Sequence, residues 1–224
     1  MADFDAIDFN LNFNNFDPNE IQVDETINAV FVVDISPSIS TYAKDLNHAF
    51  NDFTQTMQKS HVAEQLMVSL VTFNETVEVV SGFQPIKQIP TMDFKPSGGG
   101  TALYQATAQG LKIAIDYRQN LEASGVTAKT LLFVITDGED NSSTIRAKHV
   151  KEKITEILAQ EQNAFSFTTI LFGVGSANSF EKAQKDMGLQ HLAKVGTSGA
   201  EIRKMINFIS QSISQTAGNA QITF

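Results

Sequence analysis

Cysteine is absent from this 224-residue chain, which excludes disulfides and cysteine-ligated metals and suits a reducing compartment. No apolar run approaches the length needed to cross a bilayer. The first 16 residues contain neither the basic nor the apolar region of a secretory signal. A cytoplasmic protein with no membrane partner is therefore expected. Basic side chains are scarce: 16 Lys and Arg stand against 25 Asp and Glu, a net charge of −9. None precedes Lys44, whereas Asp3, Asp5, Asp8, Asp17, Glu20, Asp24, Glu25 and Asp34 do. Nucleic-acid binding, which needs clustered cations to displace counterions, is not expected. With 42% hydrophobic and only 18% charged residues, the chain has enough apolar material for a sizeable core. Its length fits one domain with short arms.

Composition divides the chain into an acidic arm over 1–26, a domain over 27–217 and a short tail over 218–224. In the arm, Phe9, Leu11 and Phe13 alternate with Asn, and Pro18 closes the stretch. It reads either as a solvated leader or as a segment whose Phe4, Phe9, Phe13 and Phe16 dock on the domain or on a neighbouring subunit by strand addition. From Ile27 onward, apolar runs alternate with helical patterns. Residues 27–34 (INAVFVVD), 66–73, 130–137 and 165–175 read as strands buried on both faces, and 76–80 as an antiparallel edge strand. Helices are expected from Ser38 to about 59, from Thr101 to about 123, and over about 145–162, 179–187 and 200–216. A brief strand is expected near 191–195, and 81–100 reads as a long loop. This alternation predicts an α/β fold: a Rossmann-like, doubly wound, mostly parallel sheet with one antiparallel edge strand and helices on both faces.

Three polar clusters fall at the carboxyl ends of strands, where open parallel sheets bind ligands. Asp34-Ile35-Ser36-Pro37-Ser38 follows the first strand, Gly98-Gly99-Gly100-Thr101 precedes a helix, and Asp137-Gly138-Glu139-Asp140-Asn141 follows the strand over 130–137. Singly, they read as a helix cap, a flexible loop and a turn. Together, two carboxylates and three hydroxyls suit a hard cation that takes oxygen ligands. Glu139, Asp140 and Asn141 read as solvated loop residues. His48, His61, His149 and His191 show no ligand spacing.

Asp34-x-Ser36-x-Ser38, with Thr101 and Asp137, resembles the metal ion-dependent adhesion site of the von Willebrand factor type A family, in order and in separation. The resemblance spans about 27–216. It implies that Ser36, Ser38 and Thr101 are inner metal ligands and that Asp34 and Asp137 bind through water. It further implies Mg²⁺, or Mn²⁺ or Ca²⁺ in its place, with the last ligand supplied by an exposed Asp or Glu of a partner protein. The function implied is a non-enzymatic binding module within an intracellular multiprotein assembly, as in chaperone-like ATPase complexes or bacterial and phage stress and defence systems. Two other functions are open: a self-assembling structural protein joined as a homo-oligomer through its arm, and an Mg²⁺-dependent phosphohydrolase. Against the last, Ser36 stands where a second acid would be needed, and the glycines lack the Lys-Ser/Thr ending of a phosphate-binding loop.

Overall fold

The computed structural model describes residues 24–160, 166–177 and 179–218. The readings of the arm before residue 24 and of the tail after 218 lie outside these residues. Six strands form one sheet in the order β3-β2-β1-β4-β5-β6, parallel except for β3. They are β1 (Glu25–Asp34), β2 (Leu66–Phe73), β3 (Val77–Pro85), β4 (Thr127–Thr136), β5 (Phe167–Val174) and β6 (His191–Val195). The helices are α1 (Ala43–Gln58), α2 (Leu103–Ala123), α3 (Ala147–Leu158), α4 (Phe180–Met187) and α5 (Gly199–Ala217). The expected doubly wound fold is the one observed. No described helix is long and apolar enough to cross a membrane.

Strand alternation sorts the core into two layers. Ile27, Ala29, Phe31 and Val33 of β1 belong to the layer with α1 and α5, while Val30 and Val32 face α2 in the layer that α3 and α4 complete. Phe31 is the hub of the first layer, its ring 5.2 Å from Phe50, 5.4 Å from Phe53 and 5.3 Å from Phe133. The inner face of α1, formed by Leu46, Phe50, Phe53 and Met57, is buried. A fully buried phenylalanine contributes about 1.5–3 kcal/mol through transfer alone, so such a cluster anchors the sheet that carries the strand ends.

Several boundaries differ from expectation. No helix starts at Ser38: Pro37–Thr41 forms a 3₁₀ turn, and Tyr42 (φ −132°, ψ 3°) separates it from α1. The edge strand does not stop at residue 80 but pairs as far as Pro85 opposite Met67. Two register shifts opposite Val68–Val71 absorb extra residues, so Ser81 and Gly82, expected to begin a long loop, lie within a bulged strand. Phe83 at its far end stacks on Tyr117, with centroids 4.2 Å apart.

Candidate metal centre

The sheet order reverses between β1 and β4, the strands that end in Asp34 and immediately before Asp137. At that switch point the chain after β1 turns sharply. The Ser36 amide donates to Asp34 Oδ1 at 2.8 Å, and the extended Ser36 (φ −62°, ψ 162°) leads into Pro37. Proline suits the start of a helical turn because its φ is preset and its missing N–H has no partner to lose. The turn brings the Ser36 and Ser38 hydroxyls within 3.0 Å of each other. Ser38 Oγ donates to Asp137 Oδ1 at 2.7 Å, a contact across 99 residues of sequence. Ser38 is therefore not a helix cap: its hydroxyl bridges the ends of two neighbouring strands.

Asp34 is 1% exposed, and its second oxygen accepts the Thr136 hydroxyl at 2.6 Å. Thr136, the last residue of β4, carries no sequence signal beyond its place before Asp137. Burial pushes both carboxyls above the ordinary range. For Asp34 this acts against the hydrogen bonds from Thr136 and Ser36 and together with the charge of Asp137. For Asp137 it acts against the Ser38 hydroxyl. Tyr42 also turns towards the pair. Burial, then the charges of Asp137 and Asp34, raise its hydroxyl well above its ordinary value, and the buried oxygen makes no hydrogen bond of full geometry.

Thr101 approaches from a third loop and is held outside α2. Its amide donates to Asn141 Oδ1 at 2.8 Å, and its carbonyl accepts the amides of Asn141 (3.0 Å) and Ser142 (3.2 Å). A Cβ built on Gly138 would lie 3.8 Å from the Thr101 hydroxyl, which places that hydroxyl beside the Asp137 turn. Asp140 Oδ1 accepts the Tyr104 amide at 3.2 Å, and Ser143 Oγ accepts the Gln105 amide at 3.0 Å. These are amides of the first turn of α2, which helix bonds leave unpaired. Asp140, half-buried, and Asn141, exposed, are therefore structural partners of the Thr101 segment and not only solvated loop residues. From the other flank, Glu75 Oε2 accepts the amides of Gly99 (2.7 Å) and Gly100 (3.2 Å). Glu75 is exposed, and its carboxyl is held below the ordinary range, first by the Gly99 amide. Thr136, Glu75 and Tyr42 are thus contributors that the sequence motifs did not single out.

The donor set fits a hard divalent cation. Two buried or half-buried carboxylates converge with hydroxyl oxygens, and among the described residues neither Asp34 nor Asp137 enters an ion pair. Buried negative charge without compensation is costly, and a cation held by oxygen ligands relieves it. Among the described residues no three His, Cys, Asp or Glu side chains form a ligand cluster, so any such site depends on the hydroxyls. The four histidines lie elsewhere; His48, for instance, sits 3.5 Å from Asp52 on α1.

The sequence model of the von Willebrand factor type A domain matches residues 28–216. No curated protein sequence matches the chain. Among solved structures, the open form of the pilus adhesin SpaC from Lactobacillus rhamnosus GG is similar at 14% identity and a TM-score of 0.60. That match covers 86% of this chain and 30% of the adhesin, so this chain spans under a third of its length. A von Willebrand factor type A structure from Catenulispora acidiphila is similar at 16% identity and a TM-score of 0.57, over 85% of this chain and 43% of that one. The vWF domain of the type V pili tip protein Mfa5 from Porphyromonas gingivalis is similar at 13% identity and a TM-score of 0.56, over 90% of this chain and 99% of that one. At these identities the likeness is one of fold.

Proposed function

The chain belongs to the von Willebrand factor type A domain family, and from that premise we propose that it is a protein-interaction module that captures an acidic group of its partner through a divalent cation. The observation that carries this reading is the convergence of Ser36, Ser38, Asp34 and Asp137 from the ends of two neighbouring strands, with no basic side chain among the described residues paired to either acid. Ser36, Ser38 and Thr101 would hold Mg²⁺ or Mn²⁺, with Asp34 and Asp137 acting through water. When bound, the cation supplies positive charge and a coordination position for a carboxylate oxygen from outside.

The chain's own residues prepare that place. Asp34 is anchored by the Thr136 hydroxyl and the Ser36 amide, which keeps the serine turn tight. The Ser38–Asp137 bond ties the end of β1 to the end of β4. Such anchoring keeps the oxygens close to their liganding positions before any partner arrives, which lowers the ordering cost of binding. On this reading the module acts by binding rather than by turnover. Capture of a partner protein fits the pilus adhesin and pilus tip protein that share the fold. We propose an intracellular setting for it, which is tested by fractionating the producing cells.

The central test is calorimetric titration of Mn²⁺ into the wild type and into Ser36→Ala/Ser38→Ala. We expect one ion per wild-type chain and at least tenfold weaker binding by the double variant, which corresponds to about 1.4 kcal/mol. Partner capture should then occur in Mg²⁺ and fail both in chelator and with the variant. Folded wild-type protein that takes up neither Mg²⁺ nor Mn²⁺ sinks the proposal.

A further inference from the structure

The turn between β2 and β3 supplies no candidate ligand, yet it governs the segment that carries Thr101. Asn74 accepts the Ala102 amide on its backbone carbonyl at 2.6 Å. Its side-chain amide donates to the carbonyl of Ser97 (3.3 Å) and the Ser97 hydroxyl (3.2 Å), while its Oδ1 accepts the Thr76 amide at 2.8 Å. Glu75 then gathers the two amides between these points, those of Gly99 and Gly100, on a single oxygen, Oε2. Consecutive amides on one side of Thr101, and the amide just after it, are thereby tied to the end of β2. The Thr101 amide itself is tied to Asn141 on the opposite flank.

Glycine loses more backbone freedom on ordering than any other residue, so a run of three keeps one geometry only where its amides are committed to partners. An exposed glutamate would ordinarily remain solvated. Here its carboxylate is spent on the glycine amides, and these are charge-assisted bonds, stronger than neutral ones.

We propose that Glu75 is a positioning residue of the candidate centre: by holding the Gly99 and Gly100 amides, its carboxylate sets where the Thr101 hydroxyl stands relative to Ser36, Ser38 and Asp137. This inference rests on the cation-centre reading and extends it to a residue outside every ligand motif. Because one oxygen accepts both amides, glutamine can place its carbonyl oxygen there and lacks only the charge. Alanine cannot.

The experiment titrates Mn²⁺ calorimetrically into the wild type, Glu75→Ala, Glu75→Gln and Ser36→Ala/Ser38→Ala. In parallel, hydrogen exchange of the Gly99 and Gly100 amides is followed by NMR in chelator. Outer partners of metal ligands typically matter by about 10- to 100-fold in affinity, and a loss in that range is expected for Glu75→Ala, together with faster exchange at both glycines. Glu75→Gln should stay near the wild type in both readouts. Glu75→Ala binding Mn²⁺ like the wild type, beside a clear loss in the double-serine variant, overturns this inference alone. Glu75→Gln losing as much as Glu75→Ala overturns it too, by assigning the effect to charge rather than position. If the wild type takes up no Mn²⁺, or the double-serine variant binds equally well, the cation-centre reading fails and this inference falls with it.

Discussion

Gly98 and Gly99 are chain neighbours with opposite requirements. Gly98 has a left-handed backbone (φ +83°), and a Cβ there would sit 2.1 Å from Glu75 Oε2 and 2.6 Å from Asn74 Nδ2. Gly99 has nothing within 4 Å of the equivalent position. Gly98→Ala should therefore destabilise the protein by about 1–3 kcal/mol, the usual cost of a side chain held in that backbone region. Gly99→Ala should stay within about 0.5 kcal/mol of the wild type, as surface changes usually do. Urea unfolding of the two variants distinguishes them, and equal losses would refute the geometry. A run of three glycines announces a loop but does not say which of them the backbone needs. The serines are similar. Asp34-x-Ser36-x-Ser38 was legible as an oxygen cluster, but Ser38 also fits a helix cap by spacing alone. Only the partner 99 residues away decides between those roles.

Strands and helices were the most legible level, because buried parallel strands read as apolar runs and α1 shows its packed face at helical spacing. β2 and β6 fall where the pattern puts them. The misreadings share a cause: the deciding contact lies far away in sequence. β3 outlasts its pattern because bulges accommodate Ser81 and Gly82 while Phe83 reaches Tyr117. α2 starts two residues after Thr101 because the loop after β4 takes the Thr101 amide. Its N-cap residue, Ala102, has no side chain able to cap, and Asp140 and Ser143 do this work from across the site. Removing a capping side chain costs about 1 kcal/mol. Asp140→Ala should lose about that much in urea unfolding, and an unchanged midpoint would count against capping from that loop.

For the whole molecule, the doubly wound topology sets β1 beside β4 at the switch point and so brings two acids together where burial disfavours their charge. A ligand that binds only the folded chain adds stability by mass action, about 2.7 kcal/mol at a hundredfold excess over its dissociation constant. For a domain of this size that is roughly 5–10 °C in thermal midpoint. We therefore expect chelator to lower the midpoint relative to saturating Mg²⁺ by about that amount, and the shift for Ser36→Ala/Ser38→Ala at the same Mg²⁺ concentration to be at most about half as large. Differential scanning calorimetry decides it, and a wild type indifferent to chelator would contradict the expectation. The sequence by itself determined the fold class and which oxygen-bearing residues gather at strand ends, because hydrophobic period and short motifs are local quantities carried by neighbouring residues. Only the tertiary structure decided the rest: that Thr136 anchors Asp34, that Asn141 and Glu75 clamp the glycine loop from two sides, and that α2 borrows its cap. Those bonds join residues 24 to 102 positions apart, and no local pattern records such pairings.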